Sequence, residues 1–343
     1  MAGQKGKFMR RVLRSLRALV VPVVLLSTVV STASIAQAQS RSHVAAPHST
    51  VVPSLVQLHS DLISAQSLST FPSSLMAELT NSLDHQSYSG GCTSAKTSPA
   101  NVITTGCTFG QVASSKTVVL YGDSLASMWQ PALDWLGTAD HFKLVLVARL
   151  NCPFANIPKT AYKDAFCYQW KINAVAYINS LHPSVVIFSE KNVGSSVDLS
   201  SPSATPTVFA SGVKTTLGLI HAPVKAVLLG MPYVHFDSNY ADNPGPCIAI
   251  YSASLTKCDT PVAKAFVPTR LTDDTKAVHS VVNAKVVTVT NLVCGPVSCP
   301  VVAYDAGTPY IVFSNQFHIT KWYAALIGSA LRTDLVNSKV TGV

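Results

Sequence analysis

The sequence predicts an α/β fold: a three-layer α/β/α sandwich around a five-stranded parallel sheet. From Lys116 onward, short apolar runs alternate with amphipathic stretches, which is the texture of βαβ units. At 343 residues and 48% hydrophobic content, the chain can bury a sizeable core in one large domain or two small ones. No internal repeat interrupts the alternation, so one domain is expected.

The elements follow in order. Residues 117–121 form a buried strand that leads straight into a helix over 124–136, and a second strand covers 142–148. A helix over 168–180 is expected to bury Ile172, Val175, Ala176 and Ile178. Strands recur at 184–188, 226–229 and 285–289, each after a helical or loop segment. A short strand at 310–313 precedes a last helix from about Thr320 to Leu335. Sites in such sheets form at the carboxyl ends of the strands, where Ser124 lies. The long Pro-rich connection from His235 to about Thr269 is expected to cover the rim of that site as a flap.

The formal charge of +9 suggests an anionic partner until its distribution is considered. Lys5, Lys7, Arg10, Arg11, Arg14 and Arg17 crowd the start with no acidic residue among them, leaving about +3 for the rest. No basic stripe with interleaved aromatics remains, so nucleic acid is not expected as a partner. These residues begin a leader with an apolar stretch from Ala18 to about Val30 and a small-x-small site at Ala36-Gln37-Ala38. Residues 1–38 therefore read as a signal peptide, and the protein as secreted or extracytoplasmic. The rival is an uncleaved anchor over 19–38 that would associate the chain with the cell envelope. Pro22 and the residues Ser27, Thr28, Ser31, Thr32 and Ser34 make it a poor span. Residues 39–90 read as a stalk with short helices through Leu55, Leu58, Leu62 and Leu75, Leu79, Leu83, and residues 91–343 as the main domain.

All eight cysteines follow the leader and fall as close pairs: Cys92/Cys107, Cys152/Cys167, Cys247/Cys258 and Cys294/Cys299. An even count in an exported chain favours disulfides, and neighbour pairing is expected although sequence alone does not fix connectivity. No pair has Cys-x-x-Cys spacing and no His stands beside two of them in a ligand pattern, so no metal or other cofactor is expected.

The chemistry is carried by Gly122-Asp123-Ser124-Leu125. A serine between a buried strand and a helix raises its hydroxyl at the top of the sheet, with its own N–H and the positive helix end facing a developing oxyanion. Gly122 permits the sharp turn and Asp123 can hold the loop. The tripeptide alone would equally suit an N-cap. His318, in Ser314-Asn315-Gln316-Phe317-His318-Ile319-Thr320, sits between the last strand and the last helix and shares the strand-end rim, which makes it the candidate base. His235, just past a strand end, is held in reserve.

These residues resemble a family. The run Cys107-Thr108-Phe109-Gly110, then Thr117 to Ser124 with Trp129-Gln130-Pro131-Ala132-Leu133, is similar to the SGNH domain attached to bacterial membrane acyltransferases and to its free-standing exported relatives. Asn151-Cys152-Pro153-Phe154, Cys167-Tyr168-Gln169-Trp170, Cys294 with Cys299-Pro300, and His318-Ile319-Thr320 with Tyr323-Ala324 keep the family's order, over about residues 70 to 338. The resemblance implies a flavodoxin-like SGNH/GDSL hydrolase fold. It also implies a serine esterase or O-acyltransferase acting on acetyl or another small acyl group on an envelope or extracellular glycan.

In that family an acidic residue three positions before the histidine orients the ring, and here the position is Asn315. An amide can orient the ring but adds no charge, and the same change in serine proteases costs about four orders of magnitude in turnover. Asn315 can serve as the orienter, or Asp305 or Glu190 can approach from a nearby loop. A third reading is a glycan-binding protein that keeps the fold without activity. The oxyanion donors are expected to be the Ser124 N–H and the Asn192 side chain, although Asn192 also fits a plain loop residue.

Overall fold

The computed structural model describes residues 53–81, 91–94, 106–162, 164, 166–191, 205–236, 243–266 and 268–343. The expected leader lies outside the described residues, as does Asn192. The chain runs through α1 (Leu55–Ala65), α2 (Met76–Asn81), β1 (Thr93–Ser94), β2 (Thr108–Gly110), β3 (Thr117–Gly122), α3 (Ser124–Ala139) and β4 (Lys143–Arg149). It continues with α4 (Cys167–Ser180), β5 (Val185–Ser189), α5 (Pro206–Leu219), β6 (Val224–Leu229), α6 (Pro244–Tyr251), β7 (Thr260–Pro261) and α7 (Pro268–His279). The last elements are β8 (Ala284–Thr288), β9 (Ser298–Cys299), β10 (Val302–Asp305), β11 (Thr308–Ile311), α8 (Lys321–Leu326) and α9 (Gly328–Asn337).

The five expected parallel strands are β3, β4, β5, β6 and β8, in the spatial order β4-β3-β5-β6-β8. The sheet is larger than expected, with seven strands, because β1 adds in parallel and β2 antiparallel to β4. These two strands are too short to show a sequence period, and the Cys92–Cys107 disulfide staples them together just before each begins. The 2-1-3-4-5 order of the main strands places the topological switch point between β3 and β5, the position at which open α/β sheets generally form their sites.

Alternate strand residues supply two cores. Val118, Leu120, Leu144, Leu146, Val185, Ile187, Ala226 and Leu228 pack with α1, α3, α8 and α9 on one face. Val119, Tyr121, Val145, Val147, Val186, Phe188 and Val227 pack with α4, α5 and α7 on the other. This is the sandwich the apolar runs predict, since strands buried on both faces carry no polar alternation.

Three expectations need correction. The inward face of α4 carries Cys167, Trp170, Lys171, Ala174 and Ile178, while Ile172 is 49% exposed. The amphipathic reading placed Ile178 and the partly buried Val175 correctly but turned the face toward the exposed Ile172 and Ala176, because a buried lysine masks the period. The last helix is two helices, broken at Ile327; a Cβ on Gly328 would lie 2.8 Å from the Trp135 ring and 3.2 Å from the Ala132 carbonyl oxygen, so the break brings backbone against α3. The segment read as a stalk contributes to the domain: Leu58, Leu62 and Leu75 are buried in the same core as the sheet.

The four disulfides pair neighbours, joining Cys92 to Cys107, Cys152 to Cys167, Cys247 to Cys258 and Cys294 to Cys299. Cys152–Cys167 ties the exit of β4 to the start of α4. The 243–266 part of the Pro-rich connection, stapled by Cys247–Cys258, packs on the segment after β6, where Tyr233 N donates to the Ala265 carbonyl and His235 N to Thr260 Oγ1.

Because Leu58 is fully enclosed, Leu58→Ala is expected to destabilise the protein by about 2–5 kcal/mol in denaturant unfolding, the range for a buried leucine truncation. A change within about 0.5 kcal/mol, as for an exposed residue, would contradict the docking of α1.

Candidate active site

Ser124 is the first residue of α3, directly past the end of β3. Through Thr117–Gln130 every residue is buried except Ser124, so the βα turn delivers one side chain to the surface. Gly122 pairs with Ala148 of β4 and Ser189 of β5. A Cβ on Gly122 would stand 1.8 Å from the Ser189 carbonyl oxygen, and its φ is +155°. Only glycine lets the two strand ends meet this closely. At the first helical position the Ser124 N–H has no partner within the helix, and it shares the positive end of α3.

Asp123 caps that helix. Its Oδ1 accepts from Leu125 N at 2.8 Å, and its Oδ2 accepts from Lys191 N at 2.9 Å. Burial pushes the Asp123 carboxyl up to about 6, against the pull of those N–H groups and of the Lys191 charge. The carboxylate thus joins the serine turn to the residue that leaves β5.

Beyond β11 the chain makes a tight turn closed by the His318 carbonyl, which accepts from Ser314 N at 2.9 Å and from Asn315 N at 3.4 Å. Phe313 and Ile319 bridge across its base. Inside the turn, Asn315 Oδ1 lies 2.9 Å from each of three nitrogens: Phe317 N, His318 N and His318 Nδ1. The two backbone nitrogens can only donate, which fixes the atom they meet as the amide oxygen. An amide oxygen can only accept, so His318 Nδ1 carries the proton. The lone pair is left on Nε2, the tautomer a general base requires.

Lys191 connects the two halves. Its backbone N–H holds Asp123, the residue before Ser124, while its ammonium lies 3.1 Å from the ring centroid of Phe317, the residue before His318. Tyr233, from the segment after β6, stacks on Phe317 at 4.6 Å between centroids, and its hydroxyl and Gln316 Oε1 are 3.0 Å apart. His235 packs edge-on against Tyr233 at 4.3 Å, so Tyr233 stands between this reserve histidine and Phe317. Burial and the Lys191 charge lower His318 to about 4.

Glu190 does not serve His318. Its Oε2 accepts from Ala155 N at 2.8 Å and its Oε1 pairs with Arg270 at 2.9 Å, while Arg270 also binds Asp274. Burial pushes Glu190 up to about 8, with Arg270 opposing. Lys171 joins the same buried cluster through the Ala155 carbonyl and the Tyr162 hydroxyl, and burial lowers it to about 7. Asp305 ends β10 opposite Thr308 in a hairpin. The predicted residues therefore divide: Asn315 and His318 are bonded to each other, Ser124 reaches their surroundings through Asp123 and Lys191, and Asn192 lies outside the described residues. Lys191, Phe317 and Tyr233 carry no sequence signal of a site, because only the β5 exit brings them together. Among the described residues, no group of three or more His, Cys, Asp or Glu side chains is placed to hold a metal.

Comparison with known proteins bears on the fold and the family. Among solved structures, the periplasmic domain of a lipopolysaccharide acetyltransferase from Salmonella ser. Paratyphi A superposes with a TM-score of 0.54 at 14% identity, covering 78% of this chain and 99% of that one. That likeness bears on the fold. A carbohydrate acetylesterase family member from Sinorhizobium meliloti gives a TM-score of 0.38 at 13% identity, covering 66% of this chain and 100% of that one. No curated protein matches the sequence. The SGNH domain, described as fused to AT3 domains, matches residues 91–333, the stretch that holds Ser124, Asn315 and His318. The chain belongs to the SGNH family.

Proposed function

We propose that the protein is an extracytoplasmic serine acyl-transfer enzyme that removes a small acyl group, such as acetyl, from a carbohydrate oxygen, or passes it on. The observation that carries this reading is the Asn315–His318 contact, which puts the proton of His318 on Nδ1 and its lone pair on Nε2, the tautomer of a general base. In the proposed reaction, His318 Nε2 takes the proton of Ser124 Oγ as the oxygen attacks the ester carbonyl. The Ser124 N–H and the positive end of α3 stabilise the tetrahedral oxyanion, with Asn192 as the proposed second donor. The C–O bond to the sugar then breaks, and the sugar oxygen takes the proton from His318. Water or another sugar hydroxyl, deprotonated by the same nitrogen, releases the acyl group and restores the serine.

Family membership and the acetyltransferase named among the structural neighbours support an acylated glycan as substrate class. Four disulfides support an oxidising compartment outside the cytoplasm, and an uncleaved leader would keep the protein at the envelope. The missing charge at residue 315 motivates one rival, a glycan-binding protein without activity.

A fluorophosphonate probe separates these readings. Covalent labelling of the wild type, absent in Ser124→Ala, is expected, together with acetate release from an acetylated polysaccharide. No labelling beside a working control hydrolase would favour the silent binder. Mass analysis of products with and without a deacetylated acceptor then distinguishes hydrolysis from transfer.

Asn315→Asp tests the orienter. The carboxylate can accept the same three N–H groups while stabilising the imidazolium, so turnover at neutral pH is expected to rise by about 10- to 100-fold. Unchanged or lower turnover would show that Asn315 is not the group acting on the base.

A further inference from the structure

We propose that Lys191, seated on the Phe317 ring, is an electrostatic positioning residue for His318 which, with the uncharged Asn315, keeps that histidine unprotonated in acidic medium. The inference rests on the reading of His318 as the base. Among the described residues, the charged or titratable groups around this corner include Lys191 from the exit of β5, Asp123 from the turn before α3, and Tyr233 and His235 from the segment after β6. The turn that carries His318 places the uncharged amide of Asn315 at the ring nitrogen Nδ1.

A triad carboxylate favours the imidazolium: it makes the histidine a stronger base but lets acid silence it. Here the partner of Nδ1 is a neutral oxygen, and the nearby side-chain charge acting on the ring is positive. Protonating His318 would place a second cation beside the Lys191 ammonium in a partly desolvated site, which both repulsion and burial oppose. Lys191 is fixed by three features independent of any titration. Its N–H is bonded to Asp123, its ammonium lies on the π face of Phe317, and Tyr233 stacks that ring at an interplanar angle of 28°. The cation–π contact and the nearby Asp123 carboxylate offset the cost of holding an ammonium there. A weaker base lowers the maximal rate, since proton transfer follows Brønsted behaviour. In exchange the acid limb of the pH profile lies low, toward the value of about 4 that burial and Lys191 give His318.

The test is a titration of the His318 imidazole by NMR in full-length Ser124→Ala protein, which needs no substrate, paired with the pH profile of kcat/KM of the otherwise wild-type enzyme on p-nitrophenyl acetate. Lys191→Met and Lys191→Gln, which keep the aliphatic stem, are expected to move the midpoint of His318 upward by about one pH unit, and Lys191→Arg to restore it. Asn315→Asp should raise it by about 1–3 units, and the double change further still. A midpoint that stays put in both uncharged variants overturns the proposal, as does one that Lys191→Arg fails to restore. The two readings separate cleanly. If the titrations shift as expected while the Ser124-containing enzyme cleaves no ester, the electrostatic role stands and the proposed activity fails.

Discussion

The carboxylate of Asp123 accepts hydrogen bonds from Leu125 N on its own turn and from Lys191 N, 68 residues further along the chain, at the exit of β5. Burial raises the cost of this charge, and two N–H donors are what a desolvated carboxylate needs to stay satisfied. The site depends on that bond. It sets Ser124 at the start of α3, aims the β5 exit back toward β3, and so delivers the Lys191 side chain to Phe317. The absence of a Cβ at Gly122 allows the same approach from the backbone side, because the Ser189 carbonyl occupies the space a side chain would need.

The exit of β5 is held from behind as well. Glu190, adjacent to Lys191, spans from Ala155 N on the β4 side to Arg270 of α7, and Asp274 and Lys171 complete the cluster. Such a network is weak evidence for stability, because removing charges from water offsets much of their attraction. Its effect here is geometric: it pins the strand-end segments around the β3/β5 switch point. Lys191 is thereby held between two fixed points, the Glu190 cluster and the Asp123 carboxylate.

Under the proposed reading, Asn315 stands in for the orienting part of a triad acid. The severe cost of an Asp-to-Asn change in serine proteases comes from the wrong tautomer. In this chain two backbone N–H groups from Phe317 and His318 compel the amide to present its oxygen, so the tautomer is retained and only the charge is lost. Orientation and charge stabilisation, usually supplied by one carboxylate, are separated.

Much of this was legible in the sequence. The five parallel strands follow from apolar runs without polar alternation, the serine turn from Gly122-Asp123-Ser124 after such a run, the candidate base from its place between the last strand and helix, and the departure at Asn315 from the pattern of the family the chain resembles. Local pattern carries these because they depend on residues close together in the chain. The inward face of α4 misled the reading, since a buried Lys171 counts as polar until its partners are known. The docking of α1, the commitment of Glu190 to Arg270, the tautomer of His318 and the position of Lys191 were decided only by tertiary structure. Each depends on partners brought together by strand order and turn geometry, and a one-dimensional pattern records a residue's polarity but not which distant group will satisfy it.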